Sequence, residues 1–235
     1  LEFRRVLFRS ESERGLIEQL GIGPNHEVLD IGCGCGGLGL ALAERFGVTS
    51  YTGVEINAEA AAAGKSMNPA ARILAGDILE LSQNMLHGRE FDVVFSLSCV
   101  DWNVRFADML GVAWRHVRPG GHFVATFRLT ENEGCDDFSR SYQFINYEGR
   151  REGELAAYVV LNAKRLADDL LAFDPASIQA FGYWGSPSGT AVTPYERLCF
   201  AAFAVRKRGR DDASPLKCTM ALPAEVIAAS GLAAG

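Results

Sequence analysis

Apolar residues recur along the first half of the chain in short runs, and segments with helical spacing separate them. The runs are rich in residues suited to strands and lie at about residues 28–31, 50–55, 72–75, 91–97 and 122–127. Helical segments are predicted at about residues 13–20, 38–46, 58–67 and 104–117. Strands that alternate with helices in this way predict an α/β fold, a doubly wound and mostly parallel sheet with helices on both faces.

The pattern changes after Arg128. Residues 141–147 and 156–161 predict a β-hairpin inserted after the fifth strand, and a helix capped by Asn162 follows. Residues 178–184 and 198–207 supply two more strands, which gives a seven-stranded sheet. We therefore assign residues 11–208 to one domain with an insertion at about 130–161. Residues 209–235 are charged and then alanine-rich, which predicts a loosely packed tail that could be truncated.

Residues 1–10 read Leu-Glu-Phe-Arg-Arg-Val-Leu-Phe-Arg-Ser, without an initiator methionine, and resemble a translated sequencing adapter. We expect them to be an artefactual leader and the true N-terminus to be missing, with a genuine basic arm as the alternative. Their three arginines and one glutamate give a net +2, which leaves −8 for the rest of a chain whose total is −6.

Composition narrows the class of protein. A chain of 235 residues that is 48% hydrophobic can bury the core of one domain. No apolar run approaches the ~18–20 residues of a membrane span. An acidic chain without a basic cluster is a poor nucleic-acid binder. Six cysteines without paired spacing predict neither a disulfide framework nor a metal site. We expect a cytoplasmic protein, a monomer or homodimer, without metal, membrane or nucleic-acid partners.

A glycine-rich turn follows the first predicted strand, where residues 30–36 read Asp-Ile-Gly-Cys-Gly-Cys-Gly. Gly32, Gly34 and Gly36 allow positive φ angles and a close approach of the backbone to a ligand. The free N–H groups of the next helix face back over this turn. The turn therefore predicts a nucleotide-binding crevice at the carboxyl end of the strand.

The acid that opens this turn distinguishes two cofactor classes. Gly32, Gly34 and Gly37 also satisfy the G-x-G-x-x-G pattern of dinucleotide-binding folds. A carboxylate at Asp30 would repel the pyrophosphate of NAD, however, and NAD-binding strands usually carry an apolar residue there. Residues 30–36 instead resemble motif I of the class I S-adenosylmethionine (SAM) dependent methyltransferases, D/E-x-G-x-G-x-G. This resemblance covers about residues 24–128.

The resemblance implies a Rossmann-like fold, SAM as cofactor and S-adenosylhomocysteine as product. We expect methyl transfer by in-line displacement to a small-molecule or glycan acceptor. An NAD-dependent oxidoreductase and a catalytically inactive SAM-fold binding module remain the alternatives.

Acids end three successive predicted strands, at Asp30, Glu55 and Asp77. The resemblance implies that the first lies near the methionine end of SAM, that the second accepts hydrogen bonds from both ribose hydroxyls, and that the third receives the adenine amine. A bidentate carboxylate matches a vicinal diol. Isoleucines next to two of these acids would sandwich the adenine. The expected cofactor-binding residues are Asp30, Gly32, Cys33, Gly34, Gly36, Glu55, Ile56, Asp77, Ile78 and Ser96.

The end of the fourth strand is where the resemblance implies residues near the transferred methyl group. Residues 96–103 lack the Asn/Asp-Pro-Pro-Tyr/Phe motif of enzymes that methylate planar amide or base nitrogens. Asp101 is the candidate general base, with a helix N-cap as its alternative role. Positioning alone can supply much of the catalysis.

Aromatic and polar residues near the expected site are candidates for acceptor binding. The long connection after the fifth strand predicts that the hairpin covers the methyl group as a lid. The candidate substrate-binding residues are Trp102, Asn103, Tyr142, Tyr147, Tyr183 and Trp184.

Overall fold

Twelve strands occur in the computed structural model, which describes residues 11–146 and 148–232. In chain order they are β1 (Glu27–Ile31), β2 (Ser50–Glu55), β3 (Arg72–Ala75), β4 (Phe91–Ser96), β5 (Val117–Thr130), β6 (Tyr142–Ile145), β7 (Glu154–Ala157), β8 (Leu161–Asn162), β9 (Pro175–Gly185), β10 (Ala191–Val192), β11 (Leu198–Lys207) and β12 (Lys217–Ala221). Nine of them form the central sheet in the order β12-β9-β11-β5-β4-β1-β2-β3, with β8 paired to β5 off this path.

Parallel pairing dominates this sheet. The β1–β2, β2–β3, β1–β4 and β4–β5 pairs are all parallel, and β11 is antiparallel to both β5 and β9. The mostly parallel, Rossmann-like sheet expected from the sequence is therefore confirmed. Its seven expected strands run from β3 to β9, and β12 extends the edge beyond them.

Helices cover both faces of the sheet. They are α1 (Glu11–Gln19), α2 (Gly37–Phe46), α3 (Ala58–Met67), α4 (Ile78–Leu81), α5 (Phe106–Arg115), α6 (Ala163–Leu171) and α7 (Ala224–Ser230), and a short 3₁₀ turn spans Val100–Trp102. Neighbouring strand residues belong to separate buried clusters: Leu29 and Val94 pack in one, Val28 and Val93 in the other. This alternation shows that each face of the sheet is buried under its own layer.

Side-chain caps start two of the helices where the sequence predicts them. The Asn57 side chain accepts hydrogen bonds from two backbone N–H groups of α3, and Asn162 accepts one from Arg165 of α6. Before α5, the Asn103 side chain accepts from the backbone N–H of Arg105 at 2.8 Å. Asp101 lies in the 3₁₀ turn, so the N-cap role considered for it is wrong.

The predicted hairpin exists, with a different second strand. β6 and β7 pair antiparallel, with Tyr142 opposite Ala157, and β10 joins β6 to make a second, three-stranded sheet. The hairpin ladder ends at Ala157, and of residues 158–161, which were also predicted to pair there, Tyr158 alone continues it, through its N–H, which donates to the Ser141 carbonyl at 3.1 Å. Leu161 pairs with β5 in the central sheet, and residues 158–161 are almost fully buried. Burial of this apolar run in the core explains the change.

The loosely packed tail predicted for residues 209–235 is wrong over its described part. β12 pairs parallel with β9, and α7 packs against α6. Val226 is fully buried and Leu232 nearly so, both within the main core. These apolar side chains cover the end of the sheet, which the high alanine content concealed. The domain therefore extends past residue 208.

Two of the sequence-based expectations concern residues that the structure does not describe. The proposed leader, residues 1–10, and the candidate substrate residue Tyr147 lie outside the described residues. Within residues 11–146 and 148–232, no helix is long and apolar enough to cross a membrane. The same residues contain no group of three or more His, Cys, Asp or Glu side chains arranged to hold a metal ion.

Candidate functional site

A first cavity of about 370 Å³ opens at the carboxyl ends of β1, β2 and β3. This is the edge of a doubly wound sheet where ligands bind. Its wall also includes residues from the loop after β4 and from the hairpin. Of the residues predicted from the sequence, those that line it are Gly32, Glu55, Ile56, Asp77, Ile78, Trp102 and Asn103.

The glycine turn is tied closely to β2. The backbone N–H groups of Gly32 and Cys33 donate to the Val54 carbonyl at 2.8 and 3.0 Å. Gly32 has a φ of +77°, and a Cβ there would lie 2.5 Å from Cys99 Sγ, so this position requires glycine. Cys33, Gly34 and Gly36 shape the turn but do not line the cavity.

Glu55 links the turn to the cavity. Its Oε2 accepts a hydrogen bond from the Gly34 N–H and its Oε1 accepts one from the Asn57 N–H, both at 2.8 Å. Each carboxylate oxygen retains further acceptor capacity. The carboxylate is thus fixed in orientation and can still accept from a diol in the cavity.

Asp77 and the two isoleucines form another part of the wall. Asp77 Oδ1 accepts from the Leu79 N–H at 2.8 Å and so caps α4. Ile78 is buried, whereas Ile56 is 72% exposed. An apolar ring placed between them would bury much of the Ile56 side chain and gain hydrophobic stabilisation.

Asp30 lies behind the glycine turn and does not line the cavity. It is 4% exposed and accepts a hydrogen bond from the Tyr51 hydroxyl at 2.5 Å. Burial raises the pKa of Asp30 to about 7; the nearby Glu55 charge adds to the rise, and the Tyr51 hydrogen bond opposes it. Its expected contact with the cofactor stays a prediction.

Ser96 and Cys99 lie near the end of β4. Ser96 is fully buried and lines neither cavity, so its expected contact with the cofactor also stays a prediction. Cys99 lines the first cavity, and burial raises the pKa of its thiol to about 12. The Cys99 thiol is therefore neutral at physiological pH and a weak nucleophile.

A second cavity of about 470 Å³ adjoins the first, and Ser98 and Trp102 line both. Tyr183, a predicted substrate residue, lies in the wall of the second cavity. Trp184 and Tyr142 line neither cavity: Trp184 packs under the Arg197 guanidinium, and Tyr142 packs against Phe138 and Phe144.

A buried ion pair forms part of the second cavity's wall. Arg128 Nε donates to Asp101 Oδ2 at 2.6 Å and Nη2 donates to the Asp101 carbonyl at 3.0 Å. The Arg128 guanidinium carbon lies 3.8 Å from the Tyr158 ring centroid and 5.2 Å from that of Trp102. Within the described part of the chain, Arg128 Nη1 and Asp101 Oδ1 are buried without a hydrogen-bond partner.

This pair changes the interpretation of Asp101. One of its oxygens accepts a hydrogen bond from the guanidinium, which orients the carboxylate. Its predicted role as general base stays a prediction, and positioning of Arg128 is a second role that the geometry allows.

Several residues of the site escaped the sequence-based prediction. Arg128 and Tyr158 line the second cavity, whereas Ile145, Glu154 and Met109 line the first. Arg128 did carry a signal, since it is a charged residue within the apolar stretch from Phe123 to Leu129. The others belong to segments whose position depends on tertiary packing.

Comparison with known proteins finds similarity to methyltransferases, both in a family model and in a related protein. Residues 28–121 match the family model of a methyltransferase domain. Trans-aconitate 2-methyltransferase of Deinococcus radiodurans is 34% identical over 217 residues, which cover 84% of this chain and 81% of that protein.

Two solved structures share the fold. The YcgJ protein of Bacillus subtilis matches with a TM-score of 0.57 at 15% identity, over 83% of this chain and 97% of that one. The 1,6-didemethyltoxoflavin-N1-methyltransferase of Burkholderia thailandensis, solved with 1,6-didemethyltoxoflavin and S-adenosylhomocysteine, matches with a TM-score of 0.54 at 23% identity, over 83% and 76%.

Proposed function

Because this chain belongs to the class I SAM-dependent methyltransferases, we propose that it transfers the methyl group of SAM to a carboxylate oxygen of a small acidic molecule. SAM is the cofactor and S-adenosylhomocysteine the product. The choice between SAM and NAD, which the glycine spacing alone left open, is thereby decided. The acceptor is the part that the proposal adds.

The first cavity fits SAM in the proposal. Glu55 would accept hydrogen bonds from the ribose hydroxyls, and Asp77 would receive the adenine amine. Ile56 and Ile78 would hold the adenine between them, and this contact would cover the exposed Ile56 side chain. The sulfonium of SAM supplies an electrophilic methyl group and a neutral thioether as leaving group.

The observation that carries the proposal is the shared wall of the two cavities. Ser98 and Trp102 line both, so an acceptor in the second cavity reaches the methyl group held in the first. A cavity of about 470 Å³ suits a small molecule. Holding the two reactants in line supplies much of the rate enhancement.

The ionisable groups near this wall favour a carboxylate as the acceptor group. The pKa of Cys99 is raised to about 12 and that of Tyr158 is also raised, both chiefly by burial, so these groups are protonated at neutral pH. Asp101 is paired with Arg128. A carboxylate has an ordinary pKa near ~4 and is already ionised, so it can attack without a general base.

The transfer balances without a proton. A bond forms between the carboxylate oxygen and the methyl carbon, the bond between sulfur and that carbon breaks, and its electron pair stays on sulfur. The product is a methyl ester. The 34% identical relative is named for trans-aconitate, a small carboxylic acid, which supports this class of acceptor over a glycan.

Incubation with methyl-labelled SAM tests the proposal. The acceptors offered are trans-aconitate, other small carboxylic acids, small alcohols and amines, and oligosaccharides. We expect label in a base-labile methyl ester of a small acid. Label recovered only in alcohols, amines or oligosaccharides contradicts the proposal, and SAM binding without any transfer supports the inactive binding module instead.

A matched pair of variants tests where the acceptor binds. Ser186 lines the second cavity, and Ser186→Trp should raise the KM for the acceptor while leaving SAM affinity unchanged. Ser66 is an exposed serine on α3 outside both cavities, so Ser66→Trp should change neither quantity.

A further inference from the structure

Arg128 lines the second cavity, and the edge of its guanidinium group that carries Nη1 has no hydrogen-bond partner among the described residues. We infer that this edge binds one carboxylate of an acceptor that carries at least two, while another carboxylate of the same molecule receives the methyl group. The inference rests on the proposed function and adds to it the residue that anchors the acceptor and the number of charged groups that the acceptor needs.

The hydrogen bonds of Arg128 show which edge is available. A guanidinium presents five N–H donors in a fixed planar arrangement. Asp101 takes the edge formed by Nε and Nη2, through Oδ2 and its backbone carbonyl. Nη1 is buried without a partner in the described part of the chain. A buried unpaired donor is costly, and a carboxylate oxygen is the strongest acceptor that could satisfy it.

The surroundings of Arg128 hold it ready for a ligand. The rings of Tyr158 and Trp102 lie against the guanidinium, and the Asp101 carboxylate fixes its rotation. A side chain that is 4% exposed and held on three sides loses little conformational entropy on binding. Asp101 therefore acts on the acceptor through Arg128, as a positioning residue.

Arg128 is the position in the wall of the second cavity that an anion can contact favourably. Among the described residues that line the second cavity, Arg128 is the only cation, and the acids are Glu13 and Asp101. An anionic acceptor therefore has one favourable position in the cavity. That position adjoins Trp102, which lies in the walls of both cavities.

Binding to Arg128 and attack on the methyl group need different carboxylates. Charge-assisted hydrogen bonds stabilise the lone pairs of the bound carboxylate and so lower its nucleophilicity. A second carboxylate that points past Trp102 towards Ser98 keeps its reactivity. The acceptor is then a compact di- or tricarboxylic acid.

Calorimetry on the enzyme saturated with S-adenosylhomocysteine tests the inference without turnover. The probes are succinate, glutarate and tricarballylate, with the corresponding amides. We expect at least one of these acids to bind wild type more tightly than its amide. In the Asp101→Asn/Arg128→Gln double variant, which leaves no buried unpaired charge, affinity for that acid should fall about ten- to a hundredfold. Arg197→Gln, a loss of an arginine outside the second cavity, should have no effect.

Two further readouts separate anchoring from a structural role. Affinity for S-adenosylhomocysteine should be unchanged in every variant, which shows that the fold is intact. For the best acid that wild type methylates, Arg128→Lys should raise KM far more than it lowers kcat, since lysine keeps the charge and loses the planar edge.

The outcomes distinguish this inference from the proposed function. Equal affinity of the double variant and wild type for the acids overturns the inference, as does equal affinity of wild type for acids and amides. Methylation of monocarboxylates by wild type as efficient as that of di- or tricarboxylates also overturns it but leaves the proposed function standing. If no small acid is bound or methylated by wild type, both are wrong.

Discussion

Glu55 is held by two backbone N–H groups, from Gly34 and Asn57, independently of any ligand. This preorganisation lets the carboxylate meet a diol without reorienting. We expect Glu55→Gln to weaken SAM binding by about 1–3 kcal/mol, or roughly ten- to a hundredfold, because charged hydrogen bonds are lost. Calorimetric titration with SAM measures the change. Glu59→Gln, on the exposed side of α3, is the control, and equal affinity of both variants would contradict the role given to Glu55.

The buried Asp30 carboxyl group predicts how the stability of the protein depends on pH. Burial raises its pKa from 3.8 to about 7 in the folded protein, so between pH 4 and 7 the folded state binds a proton that the unfolded state has lost. The Asp30 contribution to stability is therefore present at low pH and is lost as the pH rises towards 7. We expect Asp30→Asn to raise the melting temperature relative to wild type at pH 8, by more than at pH 5. A difference that does not vary with pH would contradict the raised pKa.

The residues of the site differ in how far the sequence could predict them. Glu55 and Asp77 line the first cavity as their position at strand ends suggests. Asp30 has the same kind of position but faces Tyr51, and only the packing of β1 against β2 determines that. Arg128 is conspicuous within its apolar strand, yet its partner Asp101 comes from a separate loop. A pair formed between distant segments has no local sequence pattern.

At the scale of elements, the hairpin contributes to the walls of both cavities. Ile145 of β6 and Glu154 and Ala156 of β7 line the first cavity, and Gln143 lines the second. In the proposed reaction such a cover would exclude water from the transferred methyl group and the attacking carboxylate, and so strengthen the electrostatic interactions between them.

Replacement of the hairpin tests this role. We expect a glycine–serine linker in place of residues 143–156 to keep binding of S-adenosylhomocysteine and to abolish methyl transfer. Residues 158–161 must stay, because they are buried in the core and their removal would unfold the domain. Shortening only the turn at 148–153 is the control and should retain activity. Transfer at the wild-type rate without the hairpin would show that it is a surface appendage.

Helix α7 packs into the core, and a single substitution can measure how much it contributes to the free energy of unfolding. Val226 of α7 is fully buried, so Val226→Ala should lower the free energy of unfolding by about 2 kcal/mol through lost burial and a residual cavity. Glu225→Ala, on the exposed side of the same helix, should change it by less than about 0.5 kcal/mol. Denaturant titration compares the two. Equal stabilities would mean that α7 does not stabilise the domain.

The elements that the sequence predicted well are those with local signals. The glycine turn, the Asn57 cap and the alternating strands are each specified by nearby residues. β12 and α7 are short, and α7 is rich in alanine. The pairing of β12 with β9 and the packing of α7 on α6 depend on contacts with distant parts of the chain. The prediction of a loose tail rests on composition, which does not register such contacts.

At the scale of the whole molecule, the parallel half of the sheet and the antiparallel half form different cavities. β1, β2 and β3 end at the first cavity, whereas β5, β9 and β11 contribute the wall of the second. Trp102 stands where the two meet. One sheet thus holds both proposed binding sites rigidly, so that the distance between cofactor and acceptor is set by the fold and not by a flexible linker.

This arrangement predicts that cofactor binding stabilises the entire domain, since the first cavity is built at the ends of β1, β2 and β3, which belong to the main sheet. S-Adenosylhomocysteine at about 100 times its Kd should add roughly 2.7 kcal/mol to the free energy of unfolding. For a domain of this size that corresponds to a rise in melting temperature of roughly 5–11 °C. NADH at the same concentration should give no shift, and Glu55→Gln should need a higher concentration of S-adenosylhomocysteine to reach the same shift. A stabilisation by NADH equal to that by S-adenosylhomocysteine would contradict the assignment of the first cavity to SAM.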